Sequence, residues 1–284
     1  MPDTLELVLK DFDAASSFHD SFCEKVEHRY KSYRGVLEKS SEAAQWTSKL
    51  HPPYIFQIIE TIVGNLVDDV TRIKIIPRPF IAEAEMIEQR KIAAKSLEYL
   101  LRYQLDRDYF DEKKRPFALQ ASITGLSVMK NYWRYSAAAR TRLRPLISGN
   151  GYVPGLAPQP RAEVTHDDPT MEVVDVRDFL WHEAAKDLQS AKYVIHRSWW
   201  TFDDLKQMEK IGVYKSVDEL KDSKDFGAAQ SEREEALFER NRTKDLIEVL
   251  EYWNREEGMA TVGNRKVALS ELKPNPFWHD QYPF

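Results

Sequence analysis

The stretch Lys192-Tyr193-Val194-Ile195-His196-Arg197-Ser198-Trp199-Trp200-Thr201-Phe202-Asp203-Asp204-Leu205 places a strand directly ahead of a capped helix. Lys192 to Ser198 is rich in β-branched and aromatic residues. Alternation sets Tyr193, Ile195 and Arg197 on one face and Val194 and His196 on the other. Thr201 then stands where a helix wants its N-cap, and Asp204, three residues on, stands where a capping box wants its acid. The helix is expected to run to about Ile211. Trp199 and Trp200 become core or interface material in this reading, not a ligand platform. His196 reads as a hydrogen-bonded structural histidine, because a general base needs a nucleophile or an orienting carboxylate and the sequence places none beside it.

Downstream, a charged amphipathic stretch lies near Ser231 to Arg240. The end reads as a hairpin: Asp245 to Trp253, a turn near Glu256 to Gly258, then Met259 to Val262 and Lys266 to Leu269. Upstream, Met171 to Val176 is strand-like. The segment 145–169 before it carries Pro145, Gly149, Gly151, Pro154, Gly155 and further prolines, and is expected to be an irregular linker. Earlier still the chain is mainly helical. Apolar residues recur at helical spacing from Leu5 to about Leu37, as one or two helices. They recur again from Ile55 to Val70 after Pro52-Pro53, on a helix whose polar side (Gln57, Glu60, Thr61, Asn65, Asp68) should face solvent. Ile73 to Ile76 reads as a short edge strand, Ala82 to Leu105 as a long helix, Phe117 to about Ile123 as a helix after Pro116, and Ser127 to Tyr135 as strand. The expected class is therefore α+β: a mainly helical part over 1–144, a linker over 145–169, and a smaller β-rich part with one or two helices over 170–284.

The composition sets limits. A chain of 284 residues can bury a sizeable core. No apolar run approaches the roughly 18 to 20 residues of a spanning helix, and the early acids Asp3, Glu6, Asp11 and Asp13 leave no visible secretory signal. Cys23 is the single cysteine, which excludes an internal disulfide and a cysteine-rich zinc site. A net charge of -5 disfavours a surface that grips nucleic acid all over. Aromatic residues make up 12% of the chain, with seven Trp, a supply suited to cores and permanent interfaces. There is no glycine-rich phosphate loop, no Gly-x-Ser-x-Gly elbow and no supported Cys-His pair, which argues against an ATPase or a serine or thiol hydrolase.

Two clusters are candidates for chemistry. Between Lys113 and Arg161 the chain has no acid, and Arg134, Arg140, Arg142 and Arg144, interleaved with Tyr132, Trp133 and Tyr135, could meet phosphates or an acidic neighbouring subunit. The plainer reading is a solvated basic stretch. Acids at Glu83 to Glu88 could pair with Arg134 to Arg144 across a subunit boundary. Asp175, Asp178, His182 and Glu183, with His279-Asp280, could be imagined as metal ligands, but no recognised ligand spacing is present. Acids at strand ends more commonly cap the next turn. No catalytic, metal or cofactor site is expected.

Several blocks carry a resemblance. Pro169-Thr170-Met171-Glu172-Val173-Val174-Asp175-Val176-Arg177-Asp178-Phe179-Leu180-Trp181 is followed by Ala191 to Trp199, by Thr201 to Lys206, and by Gly212-Val213-Tyr214. With Pro53-Tyr54-Ile55, Tyr132-Trp133, Glu251-Tyr252-Trp253 and Asn275-Pro276-Phe277, this order of landmarks from about Trp46 to Phe284 resembles the portal (head-to-tail connector) proteins of tailed bacteriophages. The resemblance implies a structural, non-enzymatic subunit without cofactor, in a homo-oligomeric ring of typically twelve at one capsid vertex. Double-stranded DNA passes non-specifically through such a ring during packaging and ejection. It also implies terminase, capsid or scaffold proteins and tail adaptors as partners, no membrane, and location in the virion, with assembly in the host cytoplasm. Asp178, Phe179, Trp181, His196, Arg197, Trp199, Asn275, Pro276 and Phe277 are the structural motif positions it marks. The chain would supply the wing of such a subunit, with the stem, clip and crown missing from a shortened product. One departure is local: His182-Glu183 stands where the resemblance leads one to expect Asp-Pro. The rival readings are a metal-dependent DNA-processing enzyme using Asp175, Asp178 and His182, and another virion or tail-adaptor module.

Overall fold

The structure is a computed structural model that describes residues 4–36, 53–68, 73–77, 84–148, 151–220, 239–240 and 245–284. Four helices come first: α1 (Thr4–Tyr33), α2 (Tyr54–Val67), α3 (Ala84–Arg107) and α4 (Phe110–Thr124). A β-rich part follows, with β1 (Val128–Ser148), β2 (Gly151–Val174), β3 (Phe179–Trp181) and β4 (Tyr193–Thr201), then α5 (Phe202–Ile211), β5 (Leu246–Asn254), β6 (Gly258–Gly263) and β7 (Val267–Ala268). This is the α+β class expected from the sequence. The chain forms two compact units. The first takes Met1–Asp68, Arg115–Met129 and Val173–Phe284, and the second takes Asp69–Lys114 and Lys130–Glu172.

The first unit is built on an antiparallel sheet of five strands in the order β3-β4-β5-β6-β7. Its central pair, β4 and β5, is in register from Tyr193 opposite Asn254 to Thr201 opposite Leu246. Both faces are covered, so alternation along β4 sorts residues between two cores rather than between core and water. Tyr193 and Ile195 face α1, with Leu250 and Tyr252 beside them. Val194 joins Phe179 and Trp253 in the second core. A third core under α5 holds Leu205, Leu220, Ile247, Val249 and Leu269.

Helix α1 is a single element that buries Val8, Phe12, Ala15, His19, Cys23 and Val26, three or four residues apart. Burying such aliphatic and aromatic side chains stabilises the docked helix by about 1.5 to 3 kcal/mol each. A polar link crosses the same interface: Tyr252 donates from its hydroxyl to Asp11 Oδ2 at 2.6 Å and accepts from Asn254 Nδ2 at 2.6 Å. At the start of α5, Thr201 Oγ1 accepts from the Asp204 backbone N–H at 3.3 Å while donating to the Asp204 carboxylate at 2.6 Å. The cap is the one expected, with the acid serving the hydroxyl. The β5–β6 hairpin closes at Gly258, where φ is 99° and a Cβ would lie 2.1 Å from the Lys273 carbonyl oxygen, so no other residue fits.

In the second unit, α3 ends at the Asp108-Tyr109 turn, where Tyr109 has φ 53°. Arg107 pairs with Asp168 at 3.0 Å and Lys113 with Asp108 at 2.7 Å, and Asp108 also accepts from the Met171 backbone N–H at 2.9 Å. The strands β1 and β2 pair as a two-stranded sheet.

Three local expectations need correction. The segment 145–169 is not an irregular linker: 145–148 ends β1 and 151–169 lies in β2. In a ribbon of two strands every strand is an edge, so alternate backbone N–H groups make no ladder bond and proline is tolerated there. The described residues 73–77 hold no regular structure, so Ile73 to Ile76 is not a strand. Helix α4 starts at Phe110, with Asp111 and Glu112 in its first turn to suit the dipole, and Pro116 lies inside it. The amphipathic stretch expected near Ser231 to Arg240 lies outside the described residues, apart from Glu239 and Arg240.

Burial also shapes the response to alkali. Desolvation, with Asp11 and Glu183 nearby, pushes the Tyr193 hydroxyl up to about 12 from an ordinary value of 10.0. Desolvation and the bond to Asp11 push Tyr252 upward as well. Below pH 10 these phenols are neutral folded or unfolded. Above it the unfolded chain releases protons that the folded chain keeps, so folding stability is lost as pH rises from about 10 to about 12. Denaturant titrations across this range are expected to show that fall, and Tyr193→Phe should flatten it. A slope unchanged by the substitution would contradict the assignment.

Candidate assembly site

The most buried charge in the sheet is Glu248, which is 0% exposed. It lies on β5 opposite Trp199 in the register. Arg265 grips its carboxylate with two bonds, Nε to Oε2 at 2.9 Å and Nη2 to Oε1 at 3.0 Å. Arg265 is brought there by the β6–β7 turn, in which Asn264 and Arg265 both have positive φ (47° and 56°), the geometry of a hairpin turn matched to strand twist. Asn264 Oδ1 also accepts from the Glu248 backbone N–H at 2.9 Å, and the Asn264 N–H donates to the Glu248 carbonyl at 2.8 Å. The guanidinium of Arg265 lies 4.3 Å from the Phe12 ring centroid on α1, where the negative ring face favours a cation.

Arg197 extends this network. Its Nη1 lies 3.9 Å from Glu248 Oε1, its Nε donates to Asp178 Oδ1 at 3.1 Å, and its Nη2 donates to the Arg177 carbonyl at 3.1 Å. One step away, Asp175 accepts from Arg177 through both carboxylate oxygens, at 2.5 to 3.1 Å, and caps the turn that follows β2. The bond to Asp175 holds the Arg177 guanidinium well above its ordinary pKa. His182 Nδ1 accepts from the Ala184 N–H at 3.3 Å within the turn that the Ala185 N–H closes onto the His182 carbonyl. The departure at His182-Glu183 is thus a hydrogen-bonded turn. Among the described residues no group of three or more His, Cys, Asp or Glu is placed to hold a metal ion. Asp175 and Asp178 go to arginines instead.

Of the other marked residues, Trp199, opposite Glu248 in the register, shares the charged side, while Phe179, Trp181, His196 and Phe277 gather on the opposite side of the sheet. Phe179 stacks on Trp181 and lies 4.9 Å from Phe284, measured between ring centroids. His196, opposite both Phe179 and Glu251 in the register, lies edge-on to Phe284 at 5.8 Å. It is buried, but its Nδ1 is 3.7 Å from Glu251 Oε2 and has no hydrogen-bond partner among the described residues, so the expected bonded histidine is only loosely paired. The last residues are strapped down by Gln189, which donates to the Tyr282 and Phe284 carbonyls and accepts from the Tyr282 N–H. Asn275 Oδ1 accepts from the Phe277 N–H at 2.9 Å, and Phe277 stacks between Trp253 and His279. Pro276 is exposed between them.

Of the candidate arginines, Arg134 lies in the second unit, where it lines a cavity of about 460 Å³ with Arg107, Lys113, Asp108, Glu112 and Asp168. The side chains of Arg140, Arg142 and Arg144 lie outside the described residues. Glu88, proposed to pair across a boundary, meets Lys91 on its own helix at 3.4 Å.

Helix α2 reverses an expectation. Glu60, expected on the solvent side, faces the chain and accepts from the Tyr33 hydroxyl at 2.5 Å and from Arg115 at 2.7 Å. Val63 is the one residue of this helix that is buried, while Tyr54, Ile58, Ile62 and Leu66 stand exposed. Sequence periodicity shows that a helix has an apolar stripe but not what that stripe meets.

Residues 154–256 match the family model described as phage SU10 portal protein. That match supports a phage portal protein. It covers Asp178 through Trp199 and reaches past Glu248, and so takes in the Asp178–Arg197–Glu248 part of the network. No curated protein matches the chain.

Removing one partner of a buried ion pair leaves the other charge uncompensated. Arg265→Ala is therefore expected to destabilise the first unit by about 3 to 5 kcal/mol. Replacing both Glu248 and Arg265 by Met should cost clearly less than the sum of the single changes. Urea denaturation of Glu248→Met, Arg265→Met and the double variant measures this, and additive losses would contradict the coupling.

Proposed function

We propose that this chain is a structural subunit of a phage portal ring, the channel for DNA packaging and ejection and the point of head-to-tail attachment. The match over residues 154–256 carries this reading. Two physical features support it. The first unit spends its buried charges, Glu248, Arg197 and Arg265, on one another and on the half-buried Asp178, which suits a rigid part. The exposed stripe on α2 gives the chain apolar surface that a subunit in a permanent assembly would cover. Such interfaces bury on the order of 2,000 Å² or more, and a closed ring is made by one face meeting a different face of the next copy.

On this reading DNA slides past without sequence recognition, which a net charge of -5 favours by keeping phosphate contacts local. Arg134, Arg140, Arg142 and Arg144 are then available to an acidic neighbour or to passing phosphates. The terminase, capsid or scaffold proteins and tail adaptors are the expected partners, and the virion is the expected location. Among the described residues no helix is long and apolar enough to cross a membrane. The metal-dependent enzyme reading draws no support from the geometry, because Asp175 and Asp178 are engaged by Arg177 and Arg197.

The double substitution Ile58→Asp with Ile62→Asp tests the assembly role. Both positions are exposed, so the helical content seen by circular dichroism should not change. Sedimentation velocity is expected to show large assemblies for the unaltered chain and small species for the variant. Identical sedimentation of the two would count against the role of α2, and an unaltered chain that stays a monomer at every concentration would count against the ring.

A further inference from the structure

The paired strands β1 and β2 run 21 and 24 residues and are separated in sequence only by Gly149-Asn150. At about 3.3 Å per residue, β1 is about 70 Å long. Among the described residues no third strand joins this ribbon. Two strands alone are marginally stable in water, so a ribbon of this length is expected to lie against a partner. Pro154, Pro158 and Pro160 of β2 share one parity, and a ladder tolerates proline only where the N–H would point away from the paired strand. The outer edge of β2 therefore lacks the donors that an added strand needs, and Pro145 removes one from the edge of β1. A partner that covers both strands must use a face.

The two faces differ in charge. Lys130, Arg134, Arg140, Arg142 and Arg144 all stand at even-numbered positions of β1, and alternate positions of a strand share one face. Tyr132 stands among them, its ring centroid 5.6 Å from the Lys130 ammonium, and Arg134 is exposed. The odd-numbered positions hold Trp133, Tyr135, Leu143 and Ile147 in place of bases. Strand β2 adds Arg161 and meets no acid before Glu163. The ribbon is thus without acid over 128–162 on a chain whose net charge is -5, so basic charge is concentrated here and acidic charge elsewhere.

We infer that the β1–β2 ribbon is a DNA-binding arm whose even-numbered β1 face lies against the phosphates of duplex DNA without reading its sequence. Duplex DNA presents one sign of charge, about one per 1.7 Å of axis, and an arm with bases and no acid matches that uniform field. A protein partner is ordinarily met by an apolar core with polar groups of both signs around it. Shape points the same way. A two-stranded ribbon is one of the two protein elements that the major groove, about 12 Å wide, admits. Arg140 to Arg144 cover about 13 Å of strand. Contacts to phosphate position a protein on DNA without specifying sequence, which suits a duplex that moves. The arm rests on the portal reading for the presence of DNA, and deepens it by assigning the DNA contact to one element.

Fluorescence anisotropy of a labelled mixed-sequence duplex with the full chain, between about 50 and 200 mM salt, tests this. The triple variant Arg140→Gln, Arg142→Gln and Arg144→Gln is expected to bind at least about tenfold more weakly, and to flatten the slope of log affinity against log salt by about 3. Arg140→Lys, Arg142→Lys and Arg144→Lys together keep the charge and should bind within about threefold of the unaltered chain. A face-exchanged variant, Arg140→Thr with Thr141→Arg and Arg142→Leu with Leu143→Arg, moves two bases to the other face at constant net charge and should flatten the slope by about 2. Circular dichroism checks the strand content of each. Failure of the unaltered chain to bind the duplex at about 50 mM salt, or a slope unchanged in the neutralised and face-exchanged chains, overturns the arm, while closed rings still support the portal reading. Loss of binding by the lysine variant contradicts a contact made through charge. Polyglutamate that binds more tightly than a duplex of equal charge identifies an acidic protein as the occupant and overturns the arm as well. Duplex binding that follows these variants in a chain that never forms rings leaves the arm standing and removes the portal reading.

Discussion

A fully buried carboxylate cannot be left without compensation, and Glu248 is the constraint around which the first unit is arranged. Satisfying it requires Arg265, hence the Asn264-Arg265 turn with its two positive φ values. It requires Arg197, hence the register of β4 against β5. Through Arg197 it also fixes Asp178 and the turn leading into β3. The stacking of Arg265 on Phe12 draws α1 into the same arrangement. A purely apolar core could tolerate small shifts of strand register, whereas a buried carboxylate gripped by two bonds from Arg265 and flanked by Arg197 cannot. Specification of one arrangement is the role we assign to these charges, beyond any gain in stability.

The side chains that this packing leaves outside are the ones that speak to function. Trp278 and the α2 stripe are not gaps in a monomer's design, because each is held in place by well-formed polar contacts around it: Asn275 and His279 beneath the loop, Tyr33 and Arg115 on Glu60 beneath the helix. A protein that meets copies of itself over lasting interfaces has reason to hold apolar groups in such positions. Together with the match over 154–256, this favours a structural role in which the chain's chemistry is packing.

Much of this was legible from residues in order. The strand ahead of α5 could be read because Thr201 and Asp204 mark a boundary that few other arrangements explain. The long helices could be read because their apolar spacing is sustained. The paired strands over 145–169 could not, since proline and glycine signal loops in most settings and are harmless in a two-stranded ribbon. The outward stripe of α2 was invisible because periodicity carries no information about partners. Glu248 and Arg265 were missed as well. The one available signal was an acid set among Leu246, Ile247, Val249 and Leu250, and its partner Arg265 lies beyond the next strand. Asp178, Phe179, His196 and Asn275 were marked from the sequence, but only the fold divides them between a charged side and an aromatic side of one sheet.

Electron microscopy of the purified full chain under assembly conditions addresses the central claim most directly. The account predicts closed rings with rotational symmetry and an axial opening wide enough for double-stranded DNA. Particles that remain single chains, or that pair about a twofold axis without forming rings, would contradict it.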